Sequence, residues 1–192
     1  GARLSTGWLA PSLNRLVGLG YAVPGSVIAV GVLIPVTRLD NWLAAQWQVW
    51  FASNPGLLIT GGIAALIYAY LVRFLAVALQ SVGTSLAKIT PSMDDAARSL
   101  GLGQVTTLWR VHLPILRGSL LTACLLVFVD VMKELPATLV MRPFDFDTLA
   151  TQAYTLASDE RLAEAANASL AIVAVGLLPL IALSRQISRT RR

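Results

Sequence analysis

Charged residues are scarce in this chain of 192 residues: 13% are Asp, Glu, Lys or Arg, whereas a typical soluble domain has about 25%. Hydrophobic residues make up 56% of the chain. This composition indicates a protein embedded in a membrane, because such a chain has too few charges to cover a soluble surface. The net charge of +5 does not indicate a nucleic-acid partner, since the basic residues lie at the ends of apolar runs and form no stripe with aromatic residues.

Cysteine and histidine each occur once, as Cys124 and His112. A single cysteine excludes an internal disulfide, and a lone histidine without a suitably placed Ser or Cys indicates a packed imidazole rather than a catalytic base. The sequence also lacks the Gly-x-x-x-x-Gly-Lys-Ser/Thr loop that cradles nucleotide phosphates. We therefore expect no catalytic residue and no cofactor in this chain, and we assign no metal ligand.

The chain begins at Gly1 without an initiator methionine or a signal sequence. We expect residues 1–192 to be one transmembrane domain that is a fragment of a longer polypeptide. Within it, four apolar stretches approach or exceed the length that a helix needs to cross a bilayer core of about 30 Å. They predict an all-α membrane protein with spans at residues 16–36, 57–79, 118–135 and 165–184.

Three details refine these spans. Pro24 and Gly25 predict a kink or close packing inside the first span. The stretch at residues 37–54 contains three closely spaced tryptophans, which favours a separate helix lying at headgroup level. Arg73 is the one charge of the second span, and its long side chain is expected to reach the membrane surface.

A short polar helix is predicted between the second and third spans. Thr90 suits the N-cap position, Pro91 suits the first helical position, and Gly101 suits a left-handed residue just past the end. A helix of about ten residues is not stable by itself in water. We therefore expect a partner to bind it.

The residues from this helix onwards resemble the EAA loop of permeases of binding-protein-dependent ABC importers. That pattern has Glu-Ala-Ala, three residues, Gly, nine residues, then Ile-x-Leu-Pro; here an Asp replaces the Glu and a Val replaces the Ile. The resemblance implies a type I (MetI-like) permease architecture, in which residues 88–114 form a cytoplasmic loop whose coupling helix docks in a cleft of the ATPase. The residues implied in this coupling are Asp95, Ala96, Ala97, Gly101, Leu113 and Pro114.

Ionisable residues also occur at the end of the third span, as Asp130, Lys133 and Glu134. Such groups at membrane depth usually pair with one another or line a pathway. On a continuous helix Asp130 and Glu134 would share one face, with Lys133 beside it. They are predicted either to form an internal ion pair or to line the outer mouth of a translocation pathway, where carboxylate oxygens suit a hard cation.

The sequence segments around these residues resemble the C-terminal part of ferric-iron importer permeases of the FbpB type. The segments are residues 130–139, 142–150 and 157–161. The resemblance implies import of ferric iron by alternating access, driven by ATP. It implies four partners: a cytoplasmic ABC ATPase, a periplasmic solute-binding protein, an N-terminal permease half or second permease copy, and the lipid bilayer. Thiamine, a phosphonate or a polyamine stay open as cargo. Two alternatives come from other classes of protein: a membrane-embedded enzyme using Asp130 and Glu134, and a structural membrane anchor.

Basic residues concentrate on one predicted side of the membrane, while acidic residues outnumber them on the other. Cytoplasmic loops carry the excess of Lys and Arg, so this side is predicted to be cytoplasmic. The coupling loop and both ends of the chain then lie in the cytoplasm of a bacterium, and the spans cross its inner membrane. The basic residues assigned to this side are Arg3, Arg15, Arg73, Lys88, Arg98, Arg110, Arg117, Arg185, Arg189, Arg191 and Arg192.

Overall fold

A computed structural model describes residues 9–190, and all regular secondary structure within that range is helical. Four of the helices are long and apolar enough to cross a membrane. The predicted all-α membrane fold is therefore confirmed. The four candidate membrane helices are Gly25–Phe51, Ala64–Leu86, Gln104–Met132 and Leu162–Ile181.

Nine α-helices and one π-helical turn follow one another in the described range. The π-helical turn, Leu108–His112, joins α5 to α6, so that Gln104–Met132 forms one continuous helical segment. In chain order the helices are α1 (Leu9–Ala22), α2 (Gly25–Phe51), α3 (Ala64–Leu86), α4 (Pro91–Ser99), α5 (Gln104–Thr107), α6 (Leu113–Met132), α7 (Pro136–Met141), α8 (Leu149–Ser158) and α9 (Leu162–Thr190).

The helices divide into two compact units. Among the described residues, unit 1 comprises residues 9–76 and 130–176. Its core is built from one face of α2, one face of α3 and the short helix α7. Several of the core residues are alanines, and small side chains let membrane helices approach closely without a hydrophobic driving force. The buried core residues are Ile28, Ala29, Val32, Val36, Ala65, Leu66, Ala69, Ala137 and Met141.

The first predicted span differs from the structure. Residues 16–36 are not one kinked helix, because the chain breaks before α2 and Pro24 has the non-helical dihedrals φ −54° and ψ 140°. Proline has no N–H to donate, and its ring clashes with the carbonyl four residues earlier, so the helix ends here. The predicted headgroup-level helix at residues 37–54 is also wrong, since these residues up to Phe51 continue α2.

The third predicted span likewise ends early. α6 stops at Met132 rather than at residue 135, and α7 begins at Pro136. The ring of Pro136 would clash with the carbonyl of Met132 if the helix continued. Glu134 therefore lies in a break between two helices, and the prediction that it shares a helix face with Asp130 is wrong.

Unit 2 comprises, within the described range, residues 77–129 and 177–190. It contains the short polar helix α4, the π-helical turn and most of α6. Ala97 of α4 is buried, and so are Thr107, Leu116 and Ala123 along the segment that begins at Gln104. The predicted coupling loop is thus a packed structure within this unit.

Candidate functional site

The predicted coupling helix is α4, Pro91–Ser99, with Pro91 in its first turn as expected. Thr90 occupies the N-cap position with extended backbone dihedrals. Its side chain does not cap the helix, however, because its hydroxyl oxygen lies 2.8 Å from the hydroxyl oxygen of Ser92. The predicted position of the helix start is confirmed, whereas the predicted side-chain cap is not made.

The C-terminal end of α4 depends on a glycine. Gly101 has a φ of +76°, a left-handed conformation in which most side chains are strained. Its N–H donates to the carbonyl of Arg98 at 2.9 Å, and the N–H of Leu102 donates to the carbonyl of Ala97 at 3.0 Å. This pair of bonds is the Schellman motif, which satisfies the last helical carbonyls and turns the chain sharply.

The two alanines of the coupling pattern have different surroundings. Ala96 is exposed, whereas Ala97 is only 4% exposed and packs within this chain. Asp95 is also exposed and forms an ion pair with Arg98 at 3.3 Å within the same helix. A partner that binds α4 would therefore contact the face of Asp95 and Ala96. Leu113 is half-buried and Pro114 exposed at the start of α6.

A contact between the side chains of Asp94 and His112 joins α4 to the π-helical turn within unit 2. The Nε2 atom of His112 lies 2.6 Å from Oδ1 of Asp94, and both side chains are 17% exposed. The sequence analysis predicted a packed imidazole and did not identify this partner. No spacing rule could have found it, because the two residues are separated by a turn, α5 and the π-helical turn.

The clearest charged contact in unit 1 joins α3 to the break after α6. Glu134 is 6% exposed, and its Oε2 lies 3.1 Å from Nε of Arg73. The Nε–H is not directed at that oxygen, so the contact is an ion pair without a well-formed hydrogen bond. The other carboxylate oxygen accepts the backbone N–H of Ala137 at 3.2 Å, at the start of α7. Glu134 therefore connects α3 with α7.

Arg73 also forms a hydrogen bond to the backbone at the break between α1 and α2. Its Nη1 donates to the carbonyl of Val23 at 3.2 Å. That carbonyl would accept the N–H of Val27 in a continuous helix, but this N–H bonds to Pro24 at 3.0 Å instead. The side chain of Arg73 is 17% exposed. Arg73 therefore bonds within unit 1, and its expected place at the cytoplasmic surface of the membrane stays a prediction.

Gly25 lies directly against this ion pair. A Cβ atom at this position would be 2.4 Å from Oε1 of Glu134 and 2.7 Å from Nη1 of Arg73. Both distances are far below van der Waals contact, so no other residue fits without moving the charged groups. Of the two roles that the sequence left open for Gly25, a kink or close packing, the structure shows a close approach of two side chains.

Asp130 and Lys133 form a separate pair at the end of α6. Nζ of Lys133 lies 2.9 Å from Oδ1 of Asp130, and the side chains are 61% and 14% exposed. The hydrogen bond to Asp130 raises the pKa of Lys133, which keeps the ammonium group charged. Tyr21 of α1 donates a long hydrogen bond of 3.4 Å to the same carboxylate.

Each carboxylate of the predicted pathway therefore faces its own cation: Asp130 faces Lys133 and Glu134 faces Arg73. This geometry corresponds to the internal-pairing alternative in the conformation described. It leaves the role of these residues in translocation a prediction. Among residues 9–190, no group of three or more His, Cys, Asp or Glu side chains could hold a metal ion.

Asp40 is a third buried carboxylate in unit 1, and the sequence analysis did not single it out. It lies in α2 with 0% exposure. Its oxygens accept the backbone N–H groups of Leu58, Ile59 and Thr60 at 2.8–3.1 Å. They also accept the Thr60 hydroxyl at 2.6 Å. Asp40 thereby fixes the loop that precedes α3.

No protein-family model matches this chain. It is similar to the Fe(3+)-transport system permease protein FbpB 2 of Haemophilus influenzae, with 28% identity over 173 residues, which are 90% of this chain and 31% of that protein. It is similar to the putative 2-aminoethylphosphonate transport system permease protein PhnV of Salmonella typhimurium, with 27% identity over 90% of this chain and 59% of that protein.

A ferric transport system permease protein, FbpB of Actinobacillus pleuropneumoniae, is 24% identical over 79% of this chain and 22% of its own length. The chain thus spans less than two thirds of the length of each of these relatives. The similarities confirm the predicted resemblance to permeases of ABC importers.

Proposed function

We propose that this chain is a transmembrane part of the permease of an ATP-driven, binding-protein-dependent importer. The observation that carries the proposal is α4, a nine-residue polar helix with Asp95 and Ala96 exposed, in a chain that is similar to transport permeases over 90% of its length. An isolated helix of this length is unstable, so its position in unit 2 and its exposed face favour a docking role. The chain acts as a transport subunit rather than as an enzyme.

In this proposal α4 inserts into a groove of a cytoplasmic ATPase, as amphipathic helices do in other helix-in-groove complexes. ATP binding and hydrolysis on the partner move the groove, and α4 moves with it. The membrane helices then open the pathway alternately to the two sides. Both ends of the chain and α4 lie in the cytoplasm, and the helices cross the inner membrane of a bacterium.

Two further partners belong to this mechanism. A periplasmic binding protein delivers the solute at the outer face. A second permease half or copy completes the pathway, which agrees with the many large apolar side chains that are exposed on α1, α2, α3, α6 and α9. Lipid covers the remainder of these apolar surfaces.

Ferric iron is the proposed solute, on the basis of the Lys-Glu-Leu-Pro motif at residues 133–136 and the similarity to FbpB 2. The second candidate is 2-aminoethylphosphonate, because the identity to PhnV, 27%, is nearly as high and covers the same share of this chain. The paired carboxylates favour neither solute, since Arg73 and Lys133 balance their charge.

The docking role is tested with Ala96→Trp in the full-length permease, co-purified with its ATPase and reconstituted in vesicles. A bulky side chain on the exposed face is expected to lower co-purification of the ATPase and solute uptake by about tenfold, the effect of roughly 1.4 kcal/mol of lost binding. Ala97→Trp is unsuitable, because Ala97 is buried within this chain.

Ala45→Trp serves as the matched control, since Ala45 is also exposed on a helix, α2, but lies outside the coupling loop. It should leave the ATPase bound. Unchanged uptake and co-purification in Ala96→Trp would contradict docking by this face.

The solute is tested in the same vesicles with binding protein loaded with ferric iron or with 2-aminoethylphosphonate. Stimulation of ATP hydrolysis by the iron-loaded protein above the empty protein is the expected result. If only the phosphonate-loaded protein stimulates ATP hydrolysis, the proposed solute becomes 2-aminoethylphosphonate and the proposal of an importer stands. The absence of any associated ATPase would contradict the proposed function itself.

A further inference from the structure

The contact between His112 and Asp94 differs from the ion pair of Asp95 and Arg98 in the same unit. Within residues 9–190, the His112 contact joins the side chains of α4 and another helical element, whereas the pair of Asp95 and Arg98 lies within α4 itself. Both partners of the His112 contact are mostly buried, at 17% exposure, while the side chains of Asp95 and Arg98 are about two-thirds exposed. Exposed pairs within one helix contribute little and fix no relative position.

The position of His112 follows from the proline two residues later. In a continuous α-helix the ring of Pro114 would clash with the carbonyl of Arg110. The chain avoids this by forming a π-helical turn, in which the N–H of Leu113 reaches back five residues to the carbonyl of Leu108. One extra residue in the turn changes the helix register by about 100°. His112 is the last residue of this turn and directly precedes α6.

We propose that His112 is a positioning residue that ties the first turn of α4 to the start of α6, so that a displacement of α4 is passed to the membrane helix. This inference rests on the proposed function, since it names the link inside the coupling loop. Pro114 contributes by opening the turn that ends at His112, which gives a physical role to the Leu-Pro part of the coupling pattern.

The chemistry of the contact supports a persistent link. Nε2 of His112 can donate to the Asp94 carboxylate either as the neutral Nε2–H tautomer or as imidazolium. A hydrogen bond to a charged acceptor in a mostly buried site is among the stronger side-chain contacts. The opposite end of α4 turns at Gly101, which lies in open space with no neighbouring atom within 4 Å of an added Cβ. The Asp94 end of α4 is thus the end that a side chain ties to the segment leading into α6.

The inference is tested in vesicles with the full-length permease, its ATPase and its binding protein loaded with ferric iron or 2-aminoethylphosphonate. His112→Ala and Asp94→Ala are expected to lower the solute transported per ATP hydrolysed by about fivefold or more, the range of a coupling between sites. The double variant should be no worse than either single variant, because both remove the same contact. His112→Gln should recover part of the ratio, since its amide can donate to Asp94.

Ser119→Ala is the control, because Ser119 lies on α6 but bonds only to the carbonyl of Leu116 in its own helix, at 2.9 Å. It should transport as the wild type does. The result that supports the proposal is a lowered transport ratio with normal membrane levels and normal ATPase co-purification.

Three other outcomes are distinguishable. An unchanged transport ratio in His112→Ala and Asp94→Ala would overturn the inference and leave the proposed function intact. A loss of ATPase co-purification or of membrane levels would also overturn it, because the contact would then serve docking or folding. A wild-type permease without stimulated ATP hydrolysis would instead remove the proposed function on which the inference rests.

Discussion

Two carboxylates of unit 1 are buried in different ways. Glu134 is 6% exposed and faces the guanidinium group of Arg73, which comes from another helix. Asp40 is 0% exposed and is bound by three backbone N–H groups and one hydroxyl, all from residues 58–60. A buried charge can thus be stabilised by an opposite charge or by several aligned dipoles. The first solution relies on one opposite charge, with the backbone N–H of Ala137 as a further donor, and the second is spread over several donors without a cation.

The largest effect is expected from removing the cation of the first site. Arg73→Met leaves Glu134 buried beside no cation, which should lower the free energy of unfolding by about 3–5 kcal/mol. A denaturant titration of the full-length permease in mixed micelles measures this change. The double variant Arg73→Met with Glu134→Met should recover much of the loss, because no buried charge then remains. A single variant as stable as the wild type would contradict the pairing.

The second site should respond to the loss of its negative charge. Asp40→Asn keeps the shape but replaces one acceptor oxygen by an NH₂ group facing N–H donors. We expect a loss of about 1–3 kcal/mol in the free energy of unfolding, the cost of leaving buried donors unsatisfied. Glu134→Gln is the matched comparison, since its amide can still accept the N–H of Ala137 but leaves the guanidinium group of Arg73 without its counter-charge. Its loss is therefore expected to be larger, about 3–5 kcal/mol. A larger loss in Asp40→Asn than in Glu134→Gln would contradict the distinction between the two sites.

The smallest of the three effects concerns the space beside the ion pair. Gly25→Ala places a Cβ against the ends of the Glu134 and Arg73 side chains. Overpacking of this kind is expected to cost about 1 kcal/mol, the low end of its usual range, because side-chain ends can shift. Gly31→Ala on the same helix is the control, because an added Cβ there meets nothing within 4 Å. The control should be neutral or stabilising by up to about 1 kcal/mol, since alanine favours helix. Thermal unfolding of both variants in detergent distinguishes these results; equal midpoints would contradict the close approach.

Local rules predicted the helical elements where a residue acts on its own backbone. Pro91 and Gly101 mark the start and end of α4, and both occupy the predicted positions. The geometry of proline also explains two breaks: Pro24 ends a helix that was predicted only to bend, and α6 before Pro136 ends at Met132, three residues earlier than predicted. In each of these cases the cause is local, so the sequence contains the information.

Such local rules do not predict which residues pair with the charged side chains. Spacing along a helix correctly suggested the pair of Asp130 and Lys133, which are three residues apart. It wrongly grouped Glu134 with them, because the helix ends before that residue. Arg73 lies far from Glu134 in the sequence, and only the packing of α3 beside α7 brings the two together.

The sequence by itself determined that the chain has a composition typical of membrane proteins, an all-α fold and the short helix α4. Apolar length, proline geometry and glycine conformation each act within a few residues. The tertiary structure decided which polar side chains meet: Arg73 with Glu134 next to Gly25, and His112 with Asp94 beside the π-helical turn. The physical reason is that a charge in an apolar environment requires a partner, while the identity of that partner depends on which helices pack together.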